Sequence, residues 1–137
     1  MKKSLFNLLQ CPKCNLGELK NNDSLFDCME CVSSFTVEGN IPRFVSGEYH
    51  SNFGYQWNQF SKVQLDSYNK TNLSESRLLN QSGANPSDFK DLNVLEIGAG
   101  NGRFTEILLK YGANVVAVDY STAIDANYEN NSLDNNR

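Results

Sequence analysis

Val94-Leu95-Glu96-Ile97-Gly98-Ala99-Gly100-Asn101-Gly102 is the stretch that decides the fold of the C-terminal part of this chain. Asn93 to Ile97 reads as a buried strand, and three alternate glycines then remove Cβ atoms where the chain turns. Beyond them, Phe104, Ile107, Leu108 and Tyr111 fall at i, i+3, i+4 and i+7. That spacing predicts an amphipathic helix over 102–111, with Gly112 as its αL cap. Asn114 to Asp119 reads as a second strand. The unit is β-α-β, with parallel strands and a right-handed crossover expected. Its chemistry follows from the geometry. Helix N-terminal N–H groups aimed at the loop favour an anionic group, and the missing Cβ atoms let a ligand approach the backbone. Asp119, 23 residues after Glu96, closes the second strand, where a carboxylate can accept from both hydroxyls of a ribose. The pattern is that of a pocket for a nucleotide-bearing cofactor.

Upstream, residues 46–90 read as an aromatic-rich helical connector. Tyr49, Phe53, Tyr55, Trp57 and Phe60 crowd its opening, and Phe53, Trp57 and Phe60 share one helix face. Leu73, Arg77 and Leu78 suggest a second short helix that ends by Gly83, and Asn85-Pro86-Ser87-Asp88 is a turn or a helix start. His50, the single histidine, has no nucleophile or carboxylate beside it in the sequence and reads as surface.

Residues 1–45 carry all four cysteines as two C-x-x-C pairs, Cys11-Pro12-Lys13-Cys14 and Cys28-Met29-Glu30-Cys31, with thirteen residues between them. Two residues between thiolates let one tight turn aim both sulfurs at a common point, and two such turns complete a tetrahedron around Zn²⁺. Four cysteine ligands leave no open coordination position, so such a zinc is structural. The alternatives are two disulfides or four free thiols. Strand-like runs surround the cysteines at Ser24-Leu25-Phe26, Ser34 to Val37 and Ile41 to Val45, with turns at Gly17 and Gly39-Asn40. So small and polar a segment builds little core, and structural zinc sites supply on the order of 10 kcal/mol to folding.

Composition narrows the partners. The 137 residues carry a net charge of −4. Residues 1–45 and 46–90 are each balanced, whereas residues 91–137 hold three Lys/Arg against seven Asp/Glu. With no basic stripe, nucleic acid is a disfavoured partner, because phosphate contacts supply most of that affinity. No run of eighteen apolar residues is present, so no membrane span is expected. The apolar N-terminus is broken by Asn7 and lacks a small-residue cleavage site, which reads as mature, cytoplasmic protein. Asparagine abundance carries no function in this reading, and Asn127 to Arg137 is too polar to need a core.

Two cofactor classes compete for the glycine loop. A dinucleotide fingerprint needs G-x-G-x-x-G, and Arg103 stands where its third glycine belongs. The E-x-G-x-G-x-G pattern from Glu96 to Gly102 instead resembles motif I of class I S-adenosylmethionine-dependent methyltransferases, and Ala117-Val118-Asp119-Tyr120-Ser121 resembles their second motif. The resemblance implies that Gly98, Gly100 and Gly102 line the methionine and adenosine parts of S-adenosylmethionine, that Asp119 holds the ribose, and that Glu96 lies close to the cofactor. Leu9 to Cys14 through Gly39 to Phe44 is similar to a Trm112-type zinc ribbon. Phe53 to Phe60 followed by Gln64-Leu65-Asp66 is similar to the connector of methyltransferases with such a ribbon fused in front, where it lies near the cofactor and substrate mouth.

The implied fold is a small zinc-ribbon β domain, metal-ligated by Cys11, Cys14, Cys28 and Cys31, followed over residues 91–137 by the N-terminal β-α-β part of an α/β Rossmann-like methyltransferase domain. That domain is incomplete in this reading, and its acceptor-orienting residues are absent, so no catalytic residue is named and the chain alone is expected to be inactive. The implied activity is methyl transfer, with a small-molecule or glycan-type acceptor suggested by the acidic charge. An RNA methyltransferase with a ribbon that grips RNA is the alternative within the same chemistry. A different class of answer is a non-catalytic adaptor, whose zinc ribbon binds a separate methyltransferase as a protein partner.

Overall fold

The computed structural model describes residues 8–22, 24–45 and 59–132. The chain divides into two compact units, Met1–Ser46 and Gly47–Arg137. Phe53 and Trp57 of the expected aromatic face, with Tyr49, His50 and Tyr55, lie outside the described residues; Phe60 is exposed.

The first unit is a four-stranded antiparallel meander: β1 (Leu19–Asn22), β2 (Leu25–Cys28), β3 (Ser34–Glu38) and β4 (Ile41–Arg43), in that order. Glu38 pairs with Ile41, and the two residues between them, Gly39 and Asn40, have φ of +56° and +66°. That is the positive-φ pair a tight two-residue hairpin requires. β1 was not expected, because Leu19-Lys20-Asn21-Asn22 has little β propensity. It forms by pairing with β2 in a register that sets Leu19 opposite Cys28. Phe26 and Cys11 are fully buried at the centre, and Phe35 meets Phe44 edge to face at 5.2 Å.

Among the described residues the second unit holds a single-turn helix, α1 (Asp66–Asn69), followed by α2 (Leu73–Ser82). Gly83 ends α2 at φ +68°, its N–H donating to Leu79 O, as its position in the sequence predicts. Buried Asp66 caps α2 from outside the helix: its carboxylate accepts the N–H groups of Ser74 at 3.1 Å and Glu75 at 2.9 Å. Burial acts to raise the Asp66 pKa, but those N–H groups and the Thr71 hydroxyl outweigh it and hold the carboxyl below its ordinary range. Asn85 and Asp88 form a capping box around a 3₁₀ turn, Pro86–Phe89.

β5 (Asn93–Ile97) and β6 (Asn114–Val118) pair in parallel, Asn93 with Asn114 through Ile97 with Val118. Between them runs α3 (Arg103–Lys110), whose Ile107 and Leu108 are buried as the periodicity requires. Leu108 packs with Phe89 and Ala113, and Leu78, Leu79, Val94 and Val115 close around that cluster. Alternate residues of β5 face the other way, leaving Leu95 61% and Ile97 79% exposed. α4 (Ala123–Asn131) corrects the expectation that the chain from Asn127 is too polar to pack. Asn127 is only 3% exposed, buried on α4 together with Ala123, Ile124 and Ala126, and its side chain bonds Thr105 of α3. Among the described residues no helix is long and apolar enough to cross a membrane.

Candidate functional site

Two sites stand out, one in each unit. In the first, the sulfurs of Cys11, Cys14, Cys28 and Cys31 all lie within 4.8 Å of one another. Each pair sits on its own turn. Cys11 N–H donates to Gly17 O at 3.0 Å and Asn15 N–H to Cys11 O, while Cys28 N–H donates to Ser33 O at 2.8 Å. Cys11 Sγ is 3.6 Å from Cys31 Sγ, and Cys14 Sγ is 3.7 Å from Cys28 Sγ. These separations are far beyond a disulfide bond of about 2.0 Å, and all four thiols are free. They match the edge of a tetrahedron with metal–sulfur bonds of about 2.3 Å. The donor set therefore fits a tetrahedral thiolate-bound metal ion. Backbone N–H groups already point at the sulfurs, Gly17 to Cys14 at 3.4 Å and Cys31 to Cys28 at 3.5 Å. Hydrogen bonding with the Ser33 side chain helps hold the Cys31 thiol down at about 6, while Cys28 in the same cluster is pushed up to about 11.

Gly17 is part of this site, and the sequence reading marked it only as a turn. A Cβ on Gly17 would lie 2.3 Å from Cys28 Sγ. The signal was available only in the sense that a glycine three residues past a C-x-x-C often has a packing reason.

In the second unit a cavity of about 420 Å³ opens where β5 and β6 end. Gly98, Gly100 and Asp119 line it, together with Gln64, Arg103 and Tyr120. Gly98 and Gly100 have φ of +73° and +53°, and a Cβ on either would meet nothing within 4 Å. Their glycine character serves the turn and leaves open space before the backbone. Gly102 differs. At φ +90° its missing Cβ faces α4, 2.1 Å from Asn131 Nδ2 and 2.6 Å from Asn127 Oδ1. Gly102 is not among the cavity's lining residues, and neither is Glu96.

The Glu96 carboxylate accepts the Thr105 hydroxyl at 2.5 Å, and Asn127 Nδ2 donates to the same hydroxyl oxygen at 2.9 Å. Burial raises the Glu96 pKa above the ordinary glutamate value, and the Thr105 hydrogen bond offsets part of that. The loop is held from its other side as well. Asn101 and Asn130 both donate to Ser61 O, at 3.0 and 2.8 Å, and Asn131 Nδ2 donates to Gly102 O at 3.2 Å. Asp119 Oδ2 accepts Gly100 N–H at 2.8 Å, while Oδ1 accepts the Ser121 N–H and hydroxyl.

Residues 95–136 match the family model of a methyltransferase domain. No curated protein and no solved structure matches the chain. The matched stretch covers the glycine loop, α3, β6 and α4, and with them most residues that line the cavity. Gln64, which lines the cavity, lies upstream of it.

Proposed function

We propose that this chain binds S-adenosylmethionine in the cavity at the ends of β5 and β6, and that it serves methyl transfer from that cofactor to a small-molecule or glycan-type acceptor. One observation carries the reading: within the methyltransferase-domain match, Gly98 and Gly100 present open backbone to a cavity that Asp119 also lines. When bound, the cofactor supplies a methyl group already activated on a sulfonium. The chain's own residues bind and orient. In this proposal Gly98 and Gly100 take the cofactor at their backbone, and Asp119 takes a ribose hydroxyl. A carboxylate has about four acceptor positions; Gly100 and Ser121 occupy three at Asp119, leaving one for the ligand. Glu96 and Gly102 act from behind, through Thr105, Asn127 and Asn131, by holding the turn that presents the other two glycines.

The four-cysteine cluster is proposed to hold structural zinc in a Trm112-type ribbon. The support is the tetrahedral spacing of the sulfurs and the two backbone N–H groups, of Gly17 and Cys31, that point at them. Titration calorimetry of the purified chain with S-adenosylmethionine tests the cofactor assignment. Saturable binding that Asp119→Ala weakens at least tenfold is expected, and a folded chain that takes up no cofactor would overturn it.

A further inference from the structure

A second cavity, about 310 Å³, adjoins the first. Gln64 and Arg103 line both, so the two share a wall. Arg77, from α2, lines the second cavity only. We infer that this second cavity is an oxyanion site built on Arg77 and Arg103, and that, given the methyltransferase reading above, it receives a carboxylate or phosphate group of the methyl acceptor.

Among the described residues, the Arg77 and Arg103 side chains make no ion pair and no hydrogen bond. Arg103 lays its guanidinium over the Phe104 ring, with Cζ 4.5 Å from the centroid, and its Nε is buried without an acceptor. That Nε is covered, so an incoming oxyanion would instead meet the other N–H donors of the guanidinium, which lines both cavities. Guanidinium forks suit the planar oxygens of carboxylate and phosphate.

Two acids stand close, and Asp66 itself lines the second cavity, but each is committed elsewhere. Asp66 spends both oxygens on Thr71 and the N-terminal N–H groups of α2, where the helix dipole balances its charge. Glu106 accepts the Asp66 N–H at 3.1 Å. With the Asp66 charge met by α2, Arg77 and Arg103 are the uncompensated charges lining the cavity, which suits it to an anion. The shared wall then fixes the order of ligands: cofactor at the glycine loop, and the acceptor's charged end beyond Gln64 and Arg103.

The test is a titration of the full chain with inorganic phosphate, followed by backbone amide shifts, with and without S-adenosylmethionine. Phosphate is expected to move the amides of Ser74, Arg77 and Arg103. Arg77→Gln, an exchange that α2 tolerates, should weaken phosphate about tenfold and leave cofactor affinity within twofold. Phosphate binding that ignores Arg77→Gln would overturn the oxyanion site. Competition between phosphate and S-adenosylmethionine would overturn the acceptor assignment, since the anion position would then belong to the cofactor's own carboxylate. Phosphate binding at Arg77 in a chain that takes no cofactor would keep the oxyanion site and remove its acceptor role.

Discussion

Asp119 accepts the backbone N–H of Gly100 across 2.8 Å, joining the end of β6 to the turn that leaves β5. Ser121 braces the same carboxylate from the other side, with its N–H at 2.8 Å and its hydroxyl at 2.7 Å. Asp119 is therefore a latch on the glycine loop as well as a candidate ligand contact. Its removal should loosen the loop even without cofactor. In Asp119→Ala, the Gly100 amide is expected to exchange with solvent at least tenfold faster, while amides in α3 keep their protection. Unchanged exchange at Gly100 would show that the latch contributes nothing to loop order.

Gly17→Ala should cost the first unit its metal site. The added Cβ would stand 2.3 Å from Cys28 Sγ, and the Glu30 side chain is close behind. Metal analysis should find one zinc per chain in the parent protein and far less than one in the variant. Gly39→Ala is the control. Its Cβ meets nothing, so the cost is confined to the positive φ, about 1–2 kcal/mol, with zinc content unchanged.

Asn127→Ala should destabilise the second unit by about 1–3 kcal/mol in denaturant unfolding, because it strips a buried hydrogen-bond partner from Thr105. Asn130→Ala removes donors to Ser61 O and Asn101 O, and should instead loosen residues 59–62. Equal and negligible losses in both would mean that α4 packs without its asparagines.

Glu96 makes stability depend on pH in a stated direction. Burial raises its folded-state pKa above the unfolded value. Its contribution is therefore complete at low pH and declines as pH rises through the folded value, beginning from about 4.3. Glu96→Gln keeps an acceptor for the Thr105 hydroxyl and removes the charge. The variant should melt close to the parent at pH 4 and above it at pH 7, with the gap widening between. Asp66 acts in the opposite sense. Its folded pKa is lowered, so its stabilisation is full above the ordinary aspartate range and is lost as pH falls through the lowered value. A melting-temperature gap that shrinks as pH rises would contradict the Glu96 assignment.

Sequence periodicity was enough for β5, α3 and β6, since each is short, locally patterned and bounded by glycines. It located both C-x-x-C turns for the same reason: their geometry is settled within four residues. β1 was illegible, because Leu19 to Asn22 becomes a strand only through its ladder to β2. The burial of Asn127 was equally hidden. An asparagine is polar in any sequence, and its burial depends on Thr105, 22 residues earlier, to satisfy it.

By itself, then, the sequence determined the β-α-β unit, the four-cysteine quartet and the open turn at Gly98 and Gly100, because each follows from local spacing and backbone sterics. The tertiary structure alone decided how the glycines divide their work, with Gly98 and Gly100 against open space and Gly102 against Asn127 and Asn131. It also decided that Arg77 and Arg103, 26 residues apart, line one cavity. The reason is the same in each case. These roles depend on which distant side chain packs opposite, and no local pattern encodes that.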